Sequence, residues 1–338
     1  MRSGPKRTTA GDLANDTMRA VVQARYGSAD VLRTAQVARP RPGAEEVLLR
    51  VHAAGLDRGT WHLMAGKPYA VRLAIGLRRP RQPVPGKDVA GVVIAVGPAV
   101  TRFAVGDEVY GIGVGTFADL TVAKQNKVGR KPANLTFAQA AVVPVSGMTA
   151  LRAVTDVGRV RPGHKVLILG ASGGVGSYAV QIAKAYGAEV TGVCSAAKAD
   201  LVRALGADHV IDYARENFAD GSRRYDVILD IAGNPTLSRL RRALTPTGTA
   251  VLVGGEGGDR LTGMNRQLLA LARAPFIRQR VALLTPQERA SHIERLTALI
   301  EAGKVTPSVD RTYPLEQAPE AMRLLEAGQV RGKVAITI

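Results

Sequence analysis

Val166-Leu167-Ile168-Leu169-Gly170-Ala171-Ser172-Gly173-Gly174-Val175-Gly176 is the stretch that decides how this chain folds. Its apolar opening predicts a strand buried on both faces, and Ser177 to Tyr186 predicts an amphipathic helix. Strand, glycine turn and helix together fit a dinucleotide fingerprint. Glycines let the backbone approach a pyrophosphate, whose charge then rests on the free N–H groups of the helix start. Gly173 and Gly176 sit at the spacing of the second and third glycines, while Ala171 stands at the first with Gly170 before it. Ser172, Gly173, Gly174, Val175 and Gly176 are the residues expected to hold the phosphates.

Alternating units continue from there. Strands are expected at Glu189–Val193, His209–Ile211, Asp226–Asp230 and Thr249–Val253, with helices at Ala196–Leu205 and Thr236–Leu244. Alternation of this kind implies a doubly wound parallel sheet with helices on both faces. Upstream, the chain is β-rich: Val47–His52, Val89–Gly97 and Gly106–Gly111 read as strands whose glycines mark bulges and corners. Residues 66–86, rich in proline, glycine and arginine, read as a loop inserted over a site. Thr136 to Gln139 forms a capping-box pattern opening a helical passage. A helix is expected to start at Thr285-Pro286-Gln287-Glu288, and another at about Glu316–Ala327. The closing strand, Lys333–Ile338, is expected to rejoin the first domain.

The chain has 338 residues, long for one core and sufficient for two domains. No apolar run approaches the roughly 18 residues of a membrane span. Residues 1–17 lack the apolar core of a secretory signal and are expected to be a disordered lead-in. Cys194 is the only cysteine, which excludes an intrachain disulfide and a cysteine-built zinc site. A cytoplasmic location is the natural expectation. With 46 basic against 28 acidic residues, the net charge is +18. Such charge suits either a nucleic-acid or acidic-membrane surface, or a surface that attracts a phosphorylated cofactor. Most basic residues are scattered and aromatics are only 4%, too few for base stacking, so no nucleic-acid or membrane partner is expected.

The second strand of the nucleotide unit ends without a carboxylate to grip a ribose 2′-OH. Ser195 and Lys198 stand there instead, a pair suited to the 2′-phosphate of NADPH. Their plain alternatives are a helix cap for Ser195 and a solvated Lys198.

Three segments, Val166 to Lys184, Leu205 to Tyr213 and Pro83 to Gly91, resemble the medium-chain dehydrogenase/reductases in their zinc-free, quinone-oxidoreductase-like branch. The resemblance runs from Met18 to Ile338. It implies a GroES-like, β-rich catalytic domain (18–140 and 286–338) with a Rossmann NADP-binding domain (141–285) inserted, an α/β architecture. It also implies a homodimer and NADPH-dependent reduction of a quinone or of the C=C bond of an enone. Zinc-bearing relatives oxidise alcohols. Here Asp57 follows the Ala53-Ala54-Gly55-Leu56 turn where the zinc branch carries a cysteine, and Lys87 replaces its histidine before Asp88. A lysine repels a dication, so no metal is expected.

The resemblance further implies that Asp57 and Thr60 lie near the nicotinamide ribose, and that Thr149, Ala232, Gly233, Asn234, Gly254 and Gly255 line the cofactor. Tyr213 and Lys333 match residues on the adenosine-phosphate side; the alternatives are a surface cap and a solvated strand-edge lysine. Without metal, hydrogen bonds must polarise the substrate carbonyl and a donor must protonate the product. His62 is the first candidate, with Tyr69 and Lys87 behind it. His62 has the alternative of a backbone-bonded histidine, and Lys87 that of an ion pair with Asp88 or Asp57. Trp61 is expected in the core. Two rival functions remain open: NADP-dependent alcohol oxidation, and a non-catalytic NADPH- or RNA-binding protein.

Overall fold

A computed structural model describes residues 16–254, 278–285 and 287–338. Residues 1–15 of the expected lead-in lie outside that range, and Thr17 already opens a strand.

Six parallel strands form one sheet in the order His209–Asp212, Glu189–Cys194, Lys165–Leu169, Tyr225–Asp230, Leu244–Leu252, Arg280–Leu283. Its central strands read as unbroken apolar runs because both faces are covered. Val166 and Ile168 join the core shared with Tyr178, Ala179 and Ile182 of the helix Gly174–Ala185. Leu167 and Leu169 point the other way, onto Leu237, Leu240 and Ala243 of the helix Leu237–Ala243. Strand order reverses between Lys165–Leu169 and Tyr225–Asp230, which opens a crevice beyond their carboxyl ends.

A seven-stranded sheet is built around the long strand Glu46–Leu56, which pairs antiparallel with Asp88–Val96 on one edge. Its other edge is shared by Leu120–Lys124 and the closing strand Lys333–Thr337. The chain's end thus returns to its first third, as expected. Within that closing strand Lys333, Val334, Ala335 and Ile336 are all buried. Val309–Pro314 covers its far side.

The capping box is present, with Gln139 N–H donating to Thr136 Oγ1 at 3.3 Å and Thr136 N–H to Gln139 Oε1 at 3.0 Å. The helix Ala290–Glu301 departs from expectation. It starts at Ala290 with extended Arg289 as N-cap, while Pro286 lies outside the described residues. Glu288 does not cap it, because that carboxylate is drawn to Lys87 at 2.5 Å and Lys127 at 3.2 Å. The 66–86 insert is likewise more ordered than a loop, with a 3-10 turn at Tyr69–Val71 and a helical turn at Arg72–Ile75.

Candidate functional site

The glycine turn occupies the crevice where strand order reverses. Gly170 takes a φ of +82°, and a Cβ there would meet Ala232 Cβ at 2.8 Å, so the loops after the two central strands abut. At Gly176 a Cβ would lie 2.1 Å from the Gly170 carbonyl oxygen, which forces the helix tight onto its own turn. Gly173 faces open space, its nearest neighbour being the Gly170 oxygen at 3.5 Å. The first bond of the new helix runs from Ser177 N–H to the Gly173 carbonyl at 2.9 Å. The N–H groups of Gly174, Val175 and Gly176 therefore precede the ladder and face the turn's mouth. A diphosphate fits such a cradle: open at Gly173, rich in donors, at the positive end of a 12-residue helix.

Beneath the cradle lies a lysine that is 1% exposed. Lys333 Nζ donates to Ser146 Oγ at 3.0 Å and stands 3.7 Å from Asp88 Oδ2. Its Cδ would touch a Cβ placed on Gly174 at 3.0 Å, and neighbouring Gly332 N–H donates to the carbonyl of buried Ser172 at 2.9 Å. The solvated strand-edge alternative does not hold, since Lys333 is 1% exposed on a strand flanked by Val309–Pro314 and Glu46–Leu56. Asp88, fully buried, accepts from Val145 N–H at 2.9 Å through Oδ1, while Oδ2 has no hydrogen-bond partner. Burial pushes its carboxyl up to about 8; Lys333 opposes that rise and the Asp57 carboxylate adds to it.

Asp57 caps the helix Arg58–Ala65, accepting from Thr60 N–H at 2.7 Å. Asp57 Oδ2 and Thr60 Oγ1 are buried without partners, so they and Asp88 Oδ2 are polar atoms still able to meet a ligand's hydroxyl or amide groups. Thr149, on the helix Pro144–Arg152, spends its hydroxyl on Val145 O at 2.7 Å. Lys87, half-buried, pairs with Glu288 and not with Asp88 or Asp57, because Glu288 reaches it from across the fold. His62 Nδ1 bonds the Lys67 carbonyl at 2.8 Å, as its plainer alternative had it. Tyr69 is 42% exposed, with Arg72 stacked 4.8 Å from its ring. Trp61 is half-buried, packs against the core cluster of Leu56, Met64 and Leu315, and donates to Glu326 Oε1 at 2.9 Å.

At the tip of the second strand, Tyr213 N–H donates to Cys194 O at 3.2 Å, which brings Tyr213 beside Ser195; its ring is exposed. Ser195 precedes the turn Ala196–Lys198 without a side-chain cap bond. Lys198 is not solvated, for it bonds the carbonyls of Gly328 and Val330, both at 2.8 Å, at the end of the helix Ala318–Glu326. Arg331 joins the same tip, pairing with Asp200 at 2.5 Å and reaching Ala197 O at 3.5 Å. Gly233 and Asn234 adopt positive φ after Ala232, beyond the fourth strand, and Gly254 N–H bonds Asp230 O at 3.3 Å. Gly255 lies outside the described residues. Ser146 and Arg331 carry no role in the sequence reading, nor do Asp88 as a partner of Lys333 or Glu288 as a partner of Lys87; local spacing carries no sign of contacts that span the whole chain.

The chain is similar to known proteins along nearly its whole length. Residues 43–134 match the family described as "Alcohol dehydrogenase GroES-like domain", and residues 205–336 that described as "Zinc-binding dehydrogenase". The chain is 33% identical to the mitochondrial NAD(P)H oxidoreductase RTN4IP1 of Mus musculus, over 93% of this chain and 87% of that one. It is 34% identical to the chloroplastic NADPH-dependent alkenal/one oxidoreductase of Arabidopsis thaliana, covering 94% and 79%. The quinone oxidoreductase from Coxiella burnetii superposes with a TM-score of 0.84 at 27% identity, covering 95% and 99%. With a GroES-like and a Rossmann unit joined in one chain and relatives matched along nearly its whole length, the chain belongs to the medium-chain dehydrogenase/reductase superfamily, in its quinone-oxidoreductase-like branch.

Proposed function

We propose that this protein is an NADPH-dependent oxidoreductase that delivers hydride to a quinone or to the C=C bond of an enone without zinc. One observation carries the reading: a donor-rich glycine cradle at the switch point of a parallel sheet, with unpartnered Asp57 Oδ2, Thr60 Oγ1 and Asp88 Oδ2 buried in the neighbouring unit. Relatives named for NADPH, for alkenals and enones, and for quinones support the same substrate class. Lys87 supports the zinc-free part, since an ammonium stands at the zinc branch's histidine position. Among the described residues no three His, Cys, Asp or Glu side chains are grouped to hold an ion.

Gly174, Val175 and Gly176 hold the diphosphate through their N–H groups, and Gly173 leaves room for it. Ser195, Lys198, Tyr213 and Arg331 receive the 2′-phosphate. Thr149, Ala232, Gly233, Asn234, Gly254 and Gly255 line the rest of the cofactor, with Asp57 and Thr60 at the nicotinamide ribose. NADPH bound there supplies the hydride. Glu288 holds the Lys87 Nζ in place at 2.5 Å, a donor suited to a developing enolate oxygen. His62 is the candidate proton donor, with Tyr69 behind it. Domain borders near residues 140 and 285, a homodimer and a cytoplasmic setting belong to the same reading; no described helix is long and apolar enough to cross a membrane.

Fluorescence titration with NADPH and NADH, followed by a panel of quinones, enones and alcohols, tests it. Tight NADPH binding with turnover of quinones or enones is expected. Binding without turnover of any acceptor, or turnover of alcohols alone, would refute the proposal.

A further inference from the structure

From Arg58 to Lys87 the chain has seven basic residues and no acidic one. The structure gathers much of that charge on the 66–86 insert and adds an apolar tip. Leu73 is 72% exposed and Leu77 66%, with Tyr69 beside them, so the spacing i, i+4, i+8 turns outward. Arg78, Arg79 and Arg81 are exposed around the leucines. Among the described residues neither Arg78 nor Arg79 has an acidic partner.

This is an ordered projection. Tyr26 Oη donates to Gly76 O at 2.5 Å, Arg72 Nε to Gly66 O at 2.9 Å, and Arg81 N–H to Ile75 O at 2.8 Å. The polar bonds thus face inward and the leucines face solvent, the reverse of a surface turn that ends in water. We propose that this insert is a peripheral docking element that seats Leu73 and Leu77 in the interface of an anionic lipid bilayer, with Arg78 and Arg79 on its headgroups. Apolar tips ringed by arginines match that surface in both hydrophobicity and charge.

Other occupants fit less well. A second copy meeting the patch two-fold would set arginine against arginine. RNA needs aromatic faces, and the Tyr69 ring already carries Arg72 at 4.8 Å. The sequence set membranes aside because its basic residues look scattered apart from Arg78-Arg79-Pro80-Arg81 and Arg239-Leu240-Arg241-Arg242; folding leaves Leu73 and Leu77 exposed beside the first of those clusters.

Full-length protein is sedimented with vesicles of phosphatidylcholine alone or mixed with phosphatidylglycerol, at low and high salt. Binding to the anionic vesicles only, weakened by salt, is expected. Arg78→Ala/Arg79→Ala should lower the partition coefficient about 10-fold or more, at roughly a kcal/mol per headgroup-facing arginine. Leu73→Ser/Leu77→Ser should lower it as well, while circular dichroism and NADPH binding stay unchanged in both variants. No binding to anionic vesicles, or undiminished binding by the leucine variant, overturns the proposal. So does single-stranded RNA binding that needs Arg78 and Arg79 without vesicle binding, or a change of oligomeric state as the leucine variant's sole effect. Vesicle binding is read without cofactor or substrate, so it stands or fails apart from the reductase reading.

Discussion

Lys333 and Asp88 are an unusual pair of residues to find under a cofactor turn, because each costs several kcal/mol to bury as an ion and the other only partly offsets it. Above about pH 8, where Asp88 is ionised, Lys333→Met leaves that carboxylate without its cation and should destabilise the protein by about 3 kcal/mol in urea unfolding. Adding Asp88→Asn should recover part of that loss. An acid raised from 3.8 to about 8 in the folded state keeps a proton that the unfolded chain has released. Between those two pH values the unfolded chain binds fewer protons, so stability falls as pH climbs through that window. Urea unfolding across that range should show the slope in the wild type and lose it in Asp88→Asn. The two glycines next door separate folding from binding. Gly176→Ala should cost about 1–3 kcal/mol of stability, since its Cβ has no room. Gly173→Ala should fold normally yet weaken NADPH binding by about 10-fold or more, because its Cβ enters the phosphate cradle. Both glycines were legible in the sequence, as their partners lie within a few residues. The surroundings of Lys333 were not legible, because Asp88 and Ser146 reach it from the far side of the chain.

Elements whose signals are local were read well, and those fixed by distant charge were not. The helix opened by Thr136 and Gln139 carries its own capping box, and Thr136→Ala should cost about 1 kcal/mol in thermal or chemical unfolding. The pattern at Thr285 to Glu288 looks equally good on paper, yet Lys87 and Lys127 take the glutamate and the helix begins at Ala290. The tip of the second strand shows the same contrast. Ser195 and Lys198 were visible as the place where a carboxylate is missing, whereas Arg331 arrives from the last ten residues of the chain. Arg331 has one hold on Asp200, which a 2′-phosphate can compete for. Arg331→Ala should raise the KM for NADPH about 10-fold and leave that for NADH unchanged, as steady-state kinetics with both coenzymes will show.

At the scale of the whole molecule, the sequence revealed two architectures in one chain, because a period of unbroken apolar strands and helices differs plainly from closely spaced glycines and short strands. The return of Lys333–Thr337 to the first sheet was foreseen, but its consequence was not. That return carries Lys333 under the phosphate cradle and puts Lys198 and Arg331 against the same C-terminal segment. The glycine turn and the tip of the second strand are thereby both tied to one stretch of backbone. Whether a hydride crosses that crevice without metal is decided by single-turnover stopped-flow oxidation of NADPH deuterated at C4, using protein stripped with a strong chelator and a quinone or enone acceptor. The account predicts an undiminished rate with a primary isotope effect and the deuterium recovered in the product; loss of turnover on chelation, restored by zinc, would contradict it.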